Sequence, residues 1–293
     1  MSIRSDYEAI RAVKEEMEQN RVMRYFMNQE DRWVEPYRMF GDIWYVGDSW
    51  VCVHLIDTGD GLLLIDSGNI GAAAMLIDAI WKTGHNPADV KWIVHSHGHV
   101  DHIGASNYFK RRYGTKLYLG EGDAKMYREH PELAYVQDSH DPNEDIFVPD
   151  YEIKDGEIIR FGNIDMQFYA CPGHTDGVIS LFFDMAEKGV TYRCGYFGGF
   201  GFNTMAKDYL IEIGDPEYKT RQVFLDSLAK VRDQKVDVFL GNHCINNNMF
   251  AKREKQLADP EGPNPYIQPG EWQAYLDEKR DAMLAFMADP KNN

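Results

Sequence analysis

The chain has 293 residues, 44% of them apolar, which is enough for the core of one large domain or of a domain with appendages. Its formal charge of −16, with no run of Lys and Arg to offset it, excludes a nucleic-acid surface. No stretch approaches the roughly 18 apolar residues that cross a bilayer, so no membrane partner is expected.

The opening segment is charged and lacks the apolar run of about 7–15 residues that marks a secretory signal, so a cytoplasmic location is expected. Between residues 5 and 28 the apolar positions Ile10, Val13, Met17, Val22, Met23 and Phe26 recur at helical spacing, with Asp6 as a cap. Residues 1–34 therefore read as an N-terminal helical extension. Packing on the core is the preferred reading; a lid, or a contact that builds a homo-oligomer, is the sharper one. From residue 36 short strands and turns take over. Arg38 to Val46 is a hairpin bent at Gly41-Asp42, and Trp50–Asp57 pairs with Leu62–Asp66 across Thr58-Gly59-Asp60-Gly61. A helix over Ile70–Thr83 leads to a buried strand, Val90–Val94. Then follow a helix at Ala105–Tyr113, a strand at Lys116–Leu119, a short helix at Ala124–His130 and a polar loop over residues 131–150. Strands are expected at Tyr151–Ile153, Glu157–Phe161, Ile164–Ala170, Val178–Asp184, Val190–Phe197 and Val236–Leu240. Helices are expected at Tyr218–Asp233 and Pro269–Met287, the second beyond a connector that opens the 251–293 segment.

The strand Val90–Val94 delivers His97-Gly98-His99-Val100-Asp101-His102. Imidazole and carboxylate are the ligands that divalent zinc favours. His97 and His99 are two apart on extended backbone and face the same way, so they can reach one ion together. Asp101 and His102 follow past the strand end, where the backbone can turn them toward a second ion. Two further histidines stand at apolar strand ends: His174 in Pro172-Gly173-His174-Thr175, where Pro and Gly force a sharp turn, and His243 after Leu240-Gly241-Asn242. Three separate strand ends thus offer imidazole. The four cysteines, Cys52, Cys171, Cys194 and Cys244, are too dispersed for a zinc ribbon or a CxxC pair and read as buried thiols, with Cys194 the best placed to touch a metal.

Together with Leu64-Ile65-Asp66-Ser67-Gly68 and the segment from Glu35-Pro36-Tyr37-Arg38 to Tyr45-Val46-Gly47, these motifs resemble the metallo-β-lactamase fold superfamily over residues 36 to about 250. The resemblance implies an α+β chain folded as a four-layer αββα sandwich, with a catalytic domain at 35–250 and a C-terminal helix beyond it. It implies that His97, His99 and His174 bind one Zn2+ and Asp101, His102 and His243 a second, with Asp66 holding the ligands in register. It further implies a zinc-dependent hydrolase that opens an amide or ester bond of a small-molecule substrate, a β-lactam or lactone among the candidates, by a metal-bridging hydroxide that Asp101 orients. Many hydrolases of the superfamily place a bridging Asp at the end of a later strand. Here Arg193-Cys194-Gly195-Tyr196-Phe197-Gly198-Gly199-Phe200-Gly201 has none, and the pattern resembles instead the subclass with three His on one zinc and Asp-His-His on the other. An iron-dependent oxidoreductase of the same fold and a non-catalytic metal-binding interaction protein are the alternatives. Tyr196, Phe197 and Asn203 are the candidate pocket residues, and no Lys near these motifs is in evident position to meet a substrate carboxylate.

Overall fold

In a computed structural model the chain is described over residues 29–135 and 146–293. The helix expected over residues 5–28 lies outside the described residues. Strands that are apolar on both faces dictate where the layers lie. β4 (Leu62–Ile65) has all four side chains buried. Successive side chains on a strand point to opposite faces, so Leu63 and Ile65 enter one core while Leu62 and Leu64 enter another. Such a strand needs packing on both sides.

The first sheet runs in the order β1 (Tyr37–Phe40), β2 (Ile43–Tyr45), β3 (His54–Asp57), β4, β5 (Val90–Val94), β6 (Lys116–Gly120), β7 (Tyr151–Ile153). The turn between β1 and β2 falls at Gly41-Asp42, as expected. Neighbours up to β4 are antiparallel and those from β4 onward parallel. Parallel neighbours need crossovers. They are α1 (Ala73–Lys82), the short α2 (Val100–Ile103) with α3 (Ser106–Tyr113), and α4 (Glu121–Glu129). The second sheet has the order β12-β11-β10-β9-β8, made of β8 (Ile158–Phe161), β9 (Ile164–Ala170), β10 (Ile179–Glu187), β11 (Val190–Phe197) and β12 (Val238–Leu240). Only β11 and β12 are parallel in it. Their crossover contains α5 (Lys207–Glu212) and α6 (Lys219–Arg232).

Three apolar layers result. Between the sheets lie Met39, Ile56, Leu63 and Ile65 from one side and Phe168, Leu181, Phe183 and Tyr196 from the other. Outside the first sheet, Leu76 and Ile80 of α1, Phe109 of α3 and Met126 of α4 cover Leu62 and Leu64. Outside the second, Phe224 and Leu228 of α6 pack with Phe182 and Phe239. This is the αββα sandwich that the sequence led us to expect. α7 (Met249–Ala258) and α8 (Glu271–Ala288) close the chain. α8 joins the third layer through Trp272, Tyr275, Leu276 and Met283, spaced to share one helical face. The Trp272 indole N–H donates to the Val231 carbonyl across 3.0 Å, which bolts this helix to α6. Helices α2, α5 and α7 were not among the sequence expectations; the first two, at 4 and 6 residues, are too short to show a period.

Candidate metal centre

The first two ligand segments leave adjacent parallel strands. β4 ends at Ile65, and the next residue, Asp66, has a φ of +63°, a left-handed conformation that Asp tolerates better than most residues. This turn places its carboxylate beneath the loop that follows β5. The Asp66 carboxylate there accepts four hydrogen bonds: from Ser96 N (2.7 Å), Ser96 Oγ (2.9 Å), His102 Nδ1 (2.8 Å) and Tyr196 Oη (2.6 Å). Burial alone would raise its pKa, but His102 and these donors outweigh burial, and the pKa is lowered. The loop from Ser67 to Asn69 and α2 are locked together by Ser67 N–H to His102 O and Gly104 N–H to Gly68 O, both 2.8 Å. A Cβ at Gly104 would lie 1.8 Å from the Asn69 carbonyl oxygen, so only glycine allows this approach.

His174 leaves the end of β9 through Gly173, whose φ is +148° and whose missing Cβ leaves room for Phe224. His243 follows β12, and an isolated bridge to Val51 holds it against the first sheet. The site therefore sits where the ends of β4, β5, β9 and β12 meet at one edge of the sandwich.

The imidazoles are oriented from behind. A carbonyl or carboxylate oxygen only accepts, so a ring nitrogen facing one must carry the hydrogen. His97 Nδ1 donates to Gly198 O (2.8 Å), His102 Nδ1 to Asp66 Oδ2 (2.8 Å) and His243 Nδ1 to Trp50 O (3.2 Å). His174 Nδ1 meets Thr204 Oγ1 at 3.0 Å, and that hydroxyl can itself donate to Gly201 O at 3.4 Å. Each ring consequently turns its Nε2 toward the cleft. His99 presents Nδ1 instead, 3.1 Å from His174 Nε2. Backing by acceptor oxygens is the arrangement that fixes tautomer and direction in metal-binding histidines.

The inward atoms form two adjoining groups. His97, His99 and His174 each offer a ligand atom, all within 4.8 Å of one another, and so do His97, Asp101 and His102. His243 adjoins the second group, with Nε2 3.8 Å from Asp101 Oδ2; His102 Nε2 is 3.5 Å from the same oxygen. The inward Nε2 atoms of His97 and His102 are buried and accept or donate no hydrogen bond, and the Nε2 of His99, on the far side of its ring, makes none either. Burial first, then the neighbouring imidazoles, pushes the pKa of His97 well below the usual histidine value, and that of His174 likewise. His99 and His243 are lowered to about 4, mainly by burial. These rings are neutral at pH 7 and carry lone pairs. For His102 burial works the same way, but Asp101 and Asp66 on either side outweigh it and raise its pKa. Converging lone pairs around an ionised Asp101 are poorly accommodated without a cation. The residues present fit a divalent metal.

The same geometry corrects two sequence expectations. Tyr196 and Phe197 do not line the cleft. Alternation along β11 sends Tyr196 between the sheets, where its hydroxyl reaches Asp66, and Phe197 into the outer layer with Phe224. Cys194 is a buried thiol, as expected: it lies in the inter-sheet core, burial pushes its pKa up, and neither ligand group among the described residues includes it. Asn203 does line the cleft, as do Trp50, Tyr135, Phe200, Ile245 and Asn246. So does Lys279, which the sequence reading passed over because it lies far along the chain in α8. The cleft measures about 530 Å³. Thr204, the Gly198 carbonyl and Asp123 were also missed. Asp123 accepts from Gly98 N (2.6 Å), Thr175 Oγ1 (2.8 Å) and Gly177 N (2.8 Å), tying the loop of His97 and His99 to the turn of His174. No local pattern in the sequence marks any of the three.

The family model of the metallo-beta-lactamase superfamily matches residues 51–187. A hydroxyacylglutathione hydrolase of Haemophilus influenzae is 30% identical over 152 residues, 51% of this chain and 68% of that protein. The chain belongs to the metallo-β-lactamase superfamily. An N-acyl homoserine lactonase of Bacillus cereus is 25% identical over 167 residues, 48% of this chain and 60% of the lactonase. The subclass B3 metallo-β-lactamase BJP-1 of Bradyrhizobium japonicum superposes with a TM-score of 0.77 at 27% identity, covering 89% of this chain and 97% of that one. These relatives are hydrolases by name, and the chain is a metallo-hydrolase of their superfamily. Among the described residues no helix is long and apolar enough to cross a membrane.

Proposed function

We propose that the chain is a zinc-dependent hydrolase with two ions per chain, one held by His97, His99 and His174 and the other by Asp101, His102 and His243. The catalytic unit is taken as residues 35–250, with α8 in the 251–293 segment adding a wall to the cleft. The substrate is a small molecule with an amide or ester bond, and β-lactams and lactones head the candidates because relatives of this chain are named for both. The observation that carries this reading is the pair of ligand groups, His97, His99 and His174 in one and His97, Asp101 and His102 in the other, each with its ligand atoms within 4.8 Å of one another, beside a cleft that His99, Asp101, His174 and His243 line. Nitrogen ligands with one carboxylate suit zinc.

Bound there, zinc supplies Lewis acidity toward a carbonyl and lowers the pKa of water to about 7. The protein's own groups do the rest. Asp101 Oδ2 is placed to orient a water and accept its proton. Trp50, Phe200 and Ile245 hold the apolar body of the substrate and exclude solvent, and the side chains of Asn203 and Asn246 offer hydrogen bonds to its polar edge. An iron oxidoreductase draws support from one feature, the pairing of two imidazoles with one carboxylate in the second trio, a set that also suits ferrous iron.

Metal analysis by mass spectrometry, with hydrolysis of nitrocefin and of N-acyl homoserine lactones before and after chelation, tests the proposal. About two zinc ions per chain and turnover that chelator abolishes and zinc restores are expected. A zinc-loaded protein inert across the panel would leave a metal-binding protein without this activity, and iron with oxygen uptake would favour the oxidoreductase.

A further inference from the structure

Among the described residues that line the cleft, Lys279 is the one Lys or Arg. It comes from α8, outside the strands and loops that carry the ligand set. Its side chain is only 16% exposed, although its ion-pair partner Glu278, 2.7 Å away, is 69% exposed. Two aromatic rings hold the ammonium in place: Nζ lies 5.0 Å from the centre of Tyr275 and 5.2 Å from that of Phe200. Phe200 is itself a wall of the cleft, and the next residue, Gly201, packs against the His174 ring. The sheltered cation therefore stands on the same wall as the first metal trio, one aromatic ring removed from it.

A lysine in such a place has a chemical consequence. The molecule carries a net charge of −16, so an anion approaching it meets an unfavourable field almost everywhere. A fixed ammonium beside apolar walls adds a local attraction, set apart from the charge that metal ions would bring to the two trios. Its present partner faces solvent, where an ion pair between neighbours on a helix surface contributes little. A carboxylate arriving inside the cleft would meet the same charge in a drier setting, where a charge-assisted hydrogen bond is stronger. We propose that Lys279 is the specificity-determining residue of this site, and that the substrate carries a carboxylate beside an apolar body, the carboxylate seated on Lys279 while the bond to be cleaved faces the metal trios. The inference rests on the proposed reading of the cleft as the substrate site.

The test compares Lys279→Met and Lys279→Arg with the parent protein, all zinc-loaded, on matched ligands that differ only in charge. Nitrocefin and its methyl ester serve the hydrolysis arm. Phenylacetylglycine and its neutral methylamide, titrated by the fluorescence of the cleft tryptophan Trp50, serve the binding arm. The parent should prefer the carboxylate, and Lys279→Met should weaken that preference about tenfold, equal to about 1.4 kcal/mol. The loss should fall on KM rather than kcat, neutral ligands should be unaffected, and Lys279→Arg should retain the preference. If no ligand is hydrolysed but the binding preference follows residue 279, the hydrolase reading fails and this one stands. A parent without carboxylate preference, or one that Lys279→Met leaves intact in both arms, overturns it.

Discussion

His102 and Asp66 meet across 2.8 Å, Nδ1 to Oδ2, with both side chains fully buried. The contact keeps a hydrogen on Nδ1 and turns the bare Nε2 toward Asp101. Asp66→Asn should therefore weaken metal binding by about 10–100-fold, the usual loss when such a backing group is removed. The asparagine would set an N–H₂ donor against the ring N–H, the Tyr196 hydroxyl or Ser96. Zinc competition against a chelating dye measures the effect, and circular dichroism checks that the fold survives. Unchanged zinc affinity would show that the contact is not what orients His102.

Asp101 and His97 separate chemistry from architecture. Asp101→Ala removes the carboxylate at the cleft floor and should lower kcat by at least about 100-fold. His97→Ala removes an atom shared by both ligand groups and should abolish hydrolysis and zinc loading together. Neither side chain supports the apolar layers, so thermal melting of the metal-free variants should stay close to the parent. Retained turnover in either variant would contradict the assignment.

Acid should destabilise the metal-free protein, and the sign follows from the histidines. His54, His95, His99 and His243 have folded pKa values of about 4, chiefly through burial, and His97 and His174 are lowered further. Unfolded histidine titrates near pH 6.5. Between about pH 6.5 and 4 the unfolded chain binds more protons than the folded one, so stability falls as pH drops through that window. His102 has a raised pKa and works the other way: its contribution is present below about pH 6.5 and is lost as pH rises through its folded value. One ring against six cannot reverse the trend. Urea midpoints of chelated protein at pH 7, 6, 5 and 4 would reveal it, and a flat profile would show that these rings are not buried neutral.

Asp123 joins the two loops that carry the first trio, and burial raises its pKa to about 6 against the pull of its three donors. Asp123→Ala should cost roughly 3 kcal/mol in urea unfolding, because it strands buried donors. It should also weaken zinc at His97, His99 and His174, whose loops it no longer ties together. Asp123→Asn keeps an acceptor oxygen and should lose less of both. An alanine variant with parental zinc affinity would limit Asp123 to a purely structural part.

How much of this was legible in the sequence varies with range along the chain. The strand Val90–Val94 and the histidines after it were readable, because alternation and close spacing are local properties. The turns at Gly41-Asp42 and Pro172-Gly173 were readable for the same reason. Strand ends were placed less well. Trp50 to Val53 looked like strand, but the segment pairs through an isolated bridge at Val51 to His243 and irregular backbone hydrogen bonds, not a regular ladder. Aromatic residues beside the site misled the reading at Tyr196 and Phe197, since facing is set by register and by the layer stacked opposite.

The sequence by itself determined the chemistry: which side chains can hold a metal, and which strands bring them to an edge. Tertiary structure alone decided how they are aimed. The Gly198 carbonyl behind His97, Thr204 behind His174, the Asp123 tie and the Lys279 ammonium each come from segments remote in the chain or lacking any periodic mark. The physical reason is that ligand identity is a property of single residues, whereas tautomer, direction and cleft charge arise only when two sheets and their outer helices pack into contact.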